Sequence, residues 1–313
     1  LVKERTNLNL TSVLSYPPEF DLDKVVERVT KKPKDAEEGL KLSVVPITES
    51  SVDRKDFINV ERGANLTEGP LFLIGDVQGC VTAVKELAGR IKHENYEGAK
   101  EEEYQKRKIV FVGDMADRGP YDAEAITYIT ALVRHGRAVL VMGNHDENLL
   151  KVLKGDQTGG SRETQKTAKE LRERLSARSI QKVIEMLEAA PTFMEWKNLA
   201  VVHASLPRMP LTDEDIAKDS SKYLHGIKGG FAGGRVQTEK LKNVVAKDPG
   251  ILVVGGHTHD EPPAHVNMIS GTVGLDLGVD VRGVLQAMYY PELKFASAEE
   301  PSVVKMYEII KSG

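Results

Sequence analysis

The chain has 313 residues, of which 40% are hydrophobic and 29% charged, and its formal net charge is −4. This is the composition of a globular protein long enough to bury a core, and the lack of a basic surplus argues against stable nucleic-acid binding. A single cysteine, Cys80, excludes an internal disulfide and favours an intracellular, cytoplasmic location. No apolar run reaches the roughly 18 residues of a membrane span, so no membrane partner is expected. Because the chain begins with Leu1, removal of a leader stays open.

Residues 1–69 are mixed and polar without a chemistry-bearing cluster, and we interpret them as an N-terminal extension of unknown role before one domain, 70–313. From residue 70, apolar runs alternate with helical patterns. The runs "PLFLIGD", "RKIVFVGD" and "RAVLVMGN" are continuous, which is typical of strands buried on both faces. Between them, "VTAVKELAGRIK" and "YDAEAITYITALVRHG" have helical spacing. This alternation predicts an α/β fold with a parallel sheet.

Residues 155–192 are strongly charged, with apolar residues at helical spacing, and predict one or two amphipathic helices inserted between strands. Their basic side chains would suit a lid over a polyphosphate, and a solvated helix pair is the alternative. The runs "FMEW", "LAVVHAS" and "GILVVGGHTH" predict further strands. We expect "VNMISGTVGLDLG" and "GVLQAMYY" to close the sheet as antiparallel strands.

Five predicted strands end in polar side chains of similar chemistry. These are Asp76 and Gln78; Asp114, Asp117 and Arg118; Asn144, His145 and Asp146; His203; and His257 and His259. Each group alone has an ordinary explanation, such as a turn, a helix N-cap in "GNHD", or a core histidine after "LAVV". Together they predict one crevice, because ligands of α/β sheets bind at the carboxyl ends of the strands.

The side chains in this set offer oxygen and nitrogen ligands and no thiolate, which disfavours a structural zinc site. Mn fits such a set best, and Fe, Zn, Co or Mg are alternatives. The ligands are too numerous for one catalytic ion with an open position. Two divalent metal ions, about 3.5–4 Å apart, form the standard arrangement for displacement at phosphorus.

The ordered motifs resemble the calcineurin-like metallophosphoesterase superfamily, and "DRG" resembles its phosphoprotein-phosphatase branch. The stretches "LIGDVQGC" and "GDMADRGP" are most similar to ApaH-like diadenosine tetraphosphatases, over roughly residues 70–290. The resemblance implies a β-sandwich of mixed sheets flanked by helices, with 155–192 as a helical insert. It also implies hydrolysis of a phosphoanhydride bond in a dinucleoside polyphosphate or another phosphate-containing small molecule, with capped RNA ends as a further substrate.

The resemblance implies roles for individual residues. The implied metal ligands are Asp76, Gln78, Asp114, Asn144, His203, His257 and His259. Asp114 would bridge the two ions, His145 would be the general acid, and Asp117 would orient it. The implied substrate-binding residues are Arg118 and Asn144, with Arg235 in "GGFAGGRV" as a second phosphate-binding arginine and Arg208 as the alternative.

Gln78 departs from the family pattern, which has His at this position. In one interpretation, Gln78 binds the first ion directly or through water. In another, the first ion is bound only weakly. In the third, Gln78 only forms hydrogen bonds around the metal ligands. Three functions therefore stay open: a dinucleoside polyphosphatase, a Ser/Thr-type phosphoprotein phosphatase, and a non-catalytic scaffold, which only Gln78 favours.

Overall fold

The computed structural model describes residues 70–93, 107–156, 158–196, 199–204, 252–259 and 272–312. The predicted extension 1–69 and the two candidate arginines Arg208 and Arg235 lie outside these ranges. Elements are numbered here along the described part of the chain. None of its helices is long and apolar enough to cross a membrane.

A five-stranded sheet has the order β3-β2-β1-β8-β9. Its strands are β1 (Leu71–Ile74), β2 (Lys108–Phe111), β3 (Ala138–Leu140), β8 (Val284–Tyr290) and β9 (Lys294–Glu299). The first three are parallel, and β8 pairs antiparallel with both β1 and β9. The predicted parallel core and the antiparallel closing strand "GVLQAMYY" are therefore confirmed.

A second sheet of four strands has the order β4-β5-β6-β7. It comprises β4 (Phe193–Trp196), β5 (Leu199–Val202), β6 (Leu252–Gly255) and β7 (Thr272–Gly274). The predicted antiparallel pairing of "VNMISGTVGLDLG" is wrong for β7, which runs parallel to β6. The parallel direction places the carboxyl end of β7, and Asp276 after it, at the edge where β6 ends in His257.

The two sheets pack face to face, which confirms the predicted sandwich of mixed sheets. The alternation of side chains in β1 shows why its sequence is continuously apolar. Leu71 and Leu73 face a core shared with Val201 and Val254 of the second sheet. Phe72 and Ile74 face the opposite core, under the helices.

Helices cover the outer face of the five-stranded sheet. They are α1 (Val81–His93), α2 (Asp122–Arg134), α3 (Asn144–Leu153), α4 (Arg162–Arg174) and α5 (Ala177–Glu188), followed by the short α6 (Val279–Arg282) and α7 (Pro301–Ser312). Two helices, α4 and α5, thus occupy the predicted insert. Their N-caps are Ser161 and Ser176, each accepting a hydrogen bond at 3.2 Å from a backbone N–H three residues on.

Candidate metal centre and catalytic dyad

The loops after β1, β2 and β6 contain backbone conformations that L-residues rarely adopt. Six non-glycine residues in the described ranges have positive φ, and five belong to the predicted site. Their φ angles are 45° for Gln78, 50° for Asp114, 72° for Asp117, 66° for Arg118 and 66° for His257. Each such residue costs free energy that the surrounding structure must supply, and such residues cluster at functional sites.

Two glycines let these loops approach each other. A Cβ on Gly119, which follows Arg118, would lie 1.7 Å from the carbonyl oxygen of Gln78. A Cβ on Gly256 would lie 1.9 Å from Oδ1 of Asp76. The glycines of "DRG" and "GGHTH" are therefore required by close packing of the site, not by the turn alone.

His203 lies at the centre of one group of polar atoms. Its Nδ1 is 2.9 Å from the carbonyl oxygen of Val112, which can only accept, so Nδ1 carries the proton. Its Nε2 is then left facing Oδ1 of Asn144 at 3.1 Å, Nδ1 of His257 at 3.2 Å and Oδ1 of Asp114 at 3.4 Å. With Nε2 of His203 and Nδ1 of His257 unprotonated, four atoms with lone pairs converge, and a cation among them would satisfy all four.

The charges around His203 agree with this arrangement. Burial alone would lower the pKa of His203, but the carboxylates of Asp114 and Asp76 raise it to about 10. A positive charge is thus stabilised at this point. The ligand atoms of Asp114, His203 and His257 lie within 4.8 Å of one another, so these residues fit a bound metal ion.

Asp114 presents one carboxylate oxygen to each side of the site. Oδ1 accepts the backbone N–H of His145 at 3.0 Å and faces His203. Oδ2 accepts the amide of Gln78 at 3.1 Å. Burial would raise the pKa of Asp114, but the charges and hydrogen bonds of His203 and His145 outweigh it and hold this pKa below its ordinary value.

On the other side of Asp114, negative charge is not fully compensated. Burial, and then repulsion from Asp276, raise the pKa of Asp76 well above its ordinary value. Asp76 accepts the backbone N–H of His257, at 3.0 Å for Oδ2. Oε1 of Gln78 is buried and has no hydrogen-bond partner among the described residues. Buried carboxylates beside an unpaired amide oxygen fit a second cation.

His259 takes a different position from the other predicted ligands. Its side chain is 39% exposed, and its Nε2 lies 3.7 Å from both Oδ2 of Asp276 and Oδ1 of Asp280. It is not a member of the Asp114–His203–His257 group. Asp276 and Asp280 were not predicted as site residues. The same pattern used elsewhere, a carboxylate just after a strand, identifies Asp276 once "TVG" is placed as a parallel strand.

His145 and Asp117 form a buried pair beside the metal-type cluster. Nδ1 of His145 is 2.8 Å from Oδ2 of Asp117, and Nε2 is 3.9 Å from Oδ2 of Asp114. Burial would lower the pKa of His145, but the hydrogen bond to Asp117 and the charges of Asp114 and Asp117 raise it above its ordinary value. The contact with Asp117 orients the ring of His145 through Nδ1, and the raised pKa favours the protonated form of the ring.

Asp146 is the third consecutive polar residue of "GNHD", and its carboxylate accepts hydrogen bonds from the backbone. Its Oδ2 accepts from the N–H of Gly143 at 2.9 Å, which caps the N-terminus of α3. The same carboxylate accepts from the N–H groups of Asp114 at 2.8 Å and Met115 at 3.0 Å. The N-cap of α3 is Gly143, so the ordinary N-cap explanation is wrong for Asp146, which lies inside the helix, accepts from the N-cap N–H and also fixes the backbone of the Asp114 loop.

Arg118 lies at the open side of the site. Its side chain is 44% exposed, and its Nη1 is 3.8 Å from Oδ2 of Asp280. Its charge opposes, but does not outweigh, the rise in the pKa of His145. A guanidinium that is exposed and close to His145 is available to an anionic group.

The chain matches known proteins over most of its length. The family model "Calcineurin-like phosphoesterase" matches residues 69–261. The chain is 26% identical to an asymmetrical bis(5'-nucleosyl)-tetraphosphatase PrpE of Oceanobacillus iheyensis, over 75% of this chain and 95% of that protein. It is 27% identical to the protein of the same name from Bacillus subtilis, over 72% of this chain and 92% of that protein.

Among solved structures, a protein serine/threonine phosphatase from Saccharomyces cerevisiae aligns with a TM-score of 0.48 at 16% identity. That alignment covers 75% of this chain and 81% of the yeast chain.

Proposed function

The chain belongs to the calcineurin-like phosphoesterase family of metal-dependent phosphohydrolases, and we propose that it hydrolyses dinucleoside tetraphosphates. The observation that carries the proposal is the placement of the buried His145–Asp117 pair beside a cluster of metal-type ligands. A scaffold that only binds has no need of this pair. The relatives that cover the same part of the chain support the substrate class by their names.

We assign the metal ligands by position around Asp114. Asp114, Asn144, His203 and His257 would hold one divalent ion, and Asp76, Gln78, Asp114 and His259 the other. The mixture of carboxylate, amide and imidazole ligands favours Mn over Mg. When bound, two such ions activate water near neutral pH and neutralise charge on the phosphoryl oxygens.

His145 and Arg118 would act on the substrate directly. Asp117 accepts a hydrogen bond from Nδ1–H of His145, which orients the ring, and the protonated ring would donate its Nε2 proton to the departing phosphate oxygen. The planar guanidinium of Arg118 would bind the phosphoryl oxygens through two hydrogen bonds. The leaving group is a nucleotide phosphate, which is stable as an anion without protonation. We therefore expect His145 to accelerate hydrolysis without being essential for it.

The test is hydrolysis by protein stripped with EDTA and reloaded with Mn, with products resolved by chromatography. Diadenosine tetraphosphate, a capped RNA fragment and a phosphopeptide are offered side by side. We expect turnover of the dinucleotide, giving ATP and AMP if cleavage is asymmetrical, as in the names of the relatives, and two ADP if it is symmetrical. Release of phosphate from the phosphopeptide alone would instead assign the chain to the phosphoprotein phosphatases.

A further inference from the structure

The helical insert reaches the catalytic dyad through two threonines of α4. Oγ1 of Thr164 is 2.5 Å from Oδ2 of Asp117, and Oγ1 of Thr167 is 2.7 Å from Oδ1 of the same residue. Both threonines are fully buried. Neither lies in a strand-end motif, and they are 47 and 50 residues from Asp117 in sequence.

The number of protons fixes the direction of these hydrogen bonds. Each hydroxyl has one proton, and both hydroxyls are placed to donate it to Asp117. Ser161 can in turn donate to Thr164, with its Oγ 3.2 Å from Oγ1 of Thr164.

Asp122 completes the pattern on the Thr167 side. Its Oδ2 is 3.0 Å from Oγ1 of Thr167, so this hydroxyl can donate to Asp122 as well as to Asp117, which is nearer at 2.7 Å. Burial, and then the charge of Asp117, raise the pKa of Asp122 to about 7, although the hydrogen bond from Thr167 lowers it. A neutral Asp122 competes less with Asp117 for the proton of Thr167.

We propose that Thr164 and Thr167 are positioning residues that hold Asp117, and through it the orientation and tautomer of His145. With His145, they give the carboxylate three donors, which is enough to fix its plane. The inference rests on the proposed role of the Asp117–His145 pair. It gives the insert a function that is neither a lid over phosphates nor a solvated helix pair.

The insert is anchored as this role requires. Arg174, at the end of α4, forms a two-pronged ion pair with Glu124 of α2 at 2.6 and 3.1 Å. Arg172 donates to the carbonyl oxygen of Val152 in α3 at 2.8 Å. Because α3 begins at Asn144 and contains His145, Arg172 connects α4 to the helix of the proposed acid. Arg174 connects α4 to α2, the helix that follows Asp117.

The variants that test the proposal are Thr164→Val and Thr167→Val, singly and together, because Val keeps the shape of Thr without its hydroxyl. We expect kcat to fall about 10-fold for each and up to about 100-fold for both, with KM and metal content unchanged. Thr164→Ser and Thr167→Ser keep the hydroxyls and should stay within about threefold of the native kcat.

A matched control is Thr130→Val in α2. Thr130 is also fully buried, and its Oγ1 has no hydrogen-bond partner in the described part of the chain. Removing this hydroxyl changes the interior in the same way without touching Asp117. We expect native kcat and native thermal stability for Thr130→Val.

A spectroscopic readout separates this proposal from the proposed function. The Nδ1 proton of His145 should give a proton NMR signal downfield of the amides in magnesium-loaded protein, identified by its loss in His145→Gln. We expect the signal in the native, Thr130→Val and serine proteins, and its broadening by faster exchange in the valine variants. The NMR signal of the Nδ1 proton can be measured even if none of the offered substrates is hydrolysed.

The proposal is overturned if the folded double valine variant keeps both the signal and the native kcat. It is also overturned if the serine variants lose as much kcat as the valine variants, since the hydroxyls would then not matter. Should the double variant unfold, the two single valine variants give the same decision, each with one hydroxyl removed.

Discussion

Asp114 organises the site at the scale of single residues. Its two carboxylate oxygens face different partners, His203 on one side and Gln78 on the other. Its backbone is held at a positive φ by Asp146, which accepts the N–H of Asp114. The strain at this residue is thus maintained by a residue of another strand-end motif, "GNHD", 32 residues away in sequence.

The first prediction concerns the acid. His145→Ala removes the proposed proton donor but none of the proposed metal ligands. We expect kcat for diadenosine tetraphosphate to fall by roughly 10²–10⁴-fold with the metal content unchanged. Steady-state kinetics and elemental analysis of the same preparation check both parts. Native turnover by this variant would remove His145 from the acid role.

The second prediction uses the buried carboxyl of Asp122. The pKa of Asp122 in the folded protein is raised to about 7 from 3.8. Between these two pH values the carboxyl group takes up a proton when the chain folds. The stabilising contribution is complete below the unfolded pKa and is lost as the pH rises through the folded pKa. Relative to the native protein, Asp122→Asn should become more stable by about 2 kcal/mol between pH about 5.5 and about 8.

Urea denaturation of both proteins at the two pH values measures this difference. Because the other titrating groups are common to both proteins, their contributions cancel in the comparison. A stability difference that does not change with pH would mean that Asp122 is not protonated in the folded state.

At the scale of elements, part of the positive charge of the insert is used in contacts with neighbouring helices. Of its basic residues, Arg172 and Arg174 bind groups of α3 and α2. Lys154, just before the insert, pairs with Glu188 of α5 at 2.7 Å. These pairs fasten α4 and α5 to the domain and leave less positive charge for a substrate than the sequence suggests.

The third prediction tests this fastening. Arg174→Met leaves the carboxylate of Glu124, which is 10% exposed, without its two-pronged partner. We expect the free energy of unfolding to fall by about 1–3 kcal/mol. The control is Lys169→Met, which breaks a Lys169–Glu173 pair whose side chains are 76% and 63% exposed. The control should change stability by less than about 0.5 kcal/mol. Equal losses in the two variants would contradict the structural role of Arg174.

The elements themselves were predictable where they depend on local pattern. Continuous apolar runs identified β1, β2 and β3, and helical spacing identified α1 and α2. The direction of β7 was not predictable, because it is decided by pairing with β6 and not by its own three residues. Asp276 was missed for the same reason.

Candidate site residues were predictable when they follow a strand, as Asp114 and His203 do. Thr164 and Thr167 could not be found in this way. They look like ordinary polar residues of an amphipathic helix, and only the packing of α4 against α2 and α3 brings them to Asp117. Contacts made across an insert leave no periodic signal in the sequence.

At the scale of the whole molecule, the candidate metal centre joins the two sheets. Asp76, Asp114 and Asn144 follow strands of the five-stranded sheet, and His203 and His257 follow strands of the other. Ions bound among them would neutralise carboxylates that repel one another across the sandwich. Metal binding is therefore expected to stabilise the entire domain and not only the loops.

The fourth prediction follows from this arrangement. Adding Mn to EDTA-stripped protein should raise Tm, since a ligand that binds only the folded state adds about 2.7 kcal/mol of stability at 100 times its Kd. Differential scanning calorimetry over a series of Mn concentrations measures the shift. A Tm independent of Mn would contradict binding between the two sheets.

The fifth prediction is the most direct test of a metal centre bridged by Asp114. The number of Mn ions per chain and the rate of diadenosine tetraphosphate hydrolysis are measured in the same reloaded samples. We expect two ions in the native protein, with turnover appearing as the sites fill. Asp114→Asn should hold fewer than two ions and show no turnover, because it lacks the shared ligand. Full turnover by metal-free protein, or two ions retained by Asp114→Asn, would contradict a centre bridged by Asp114.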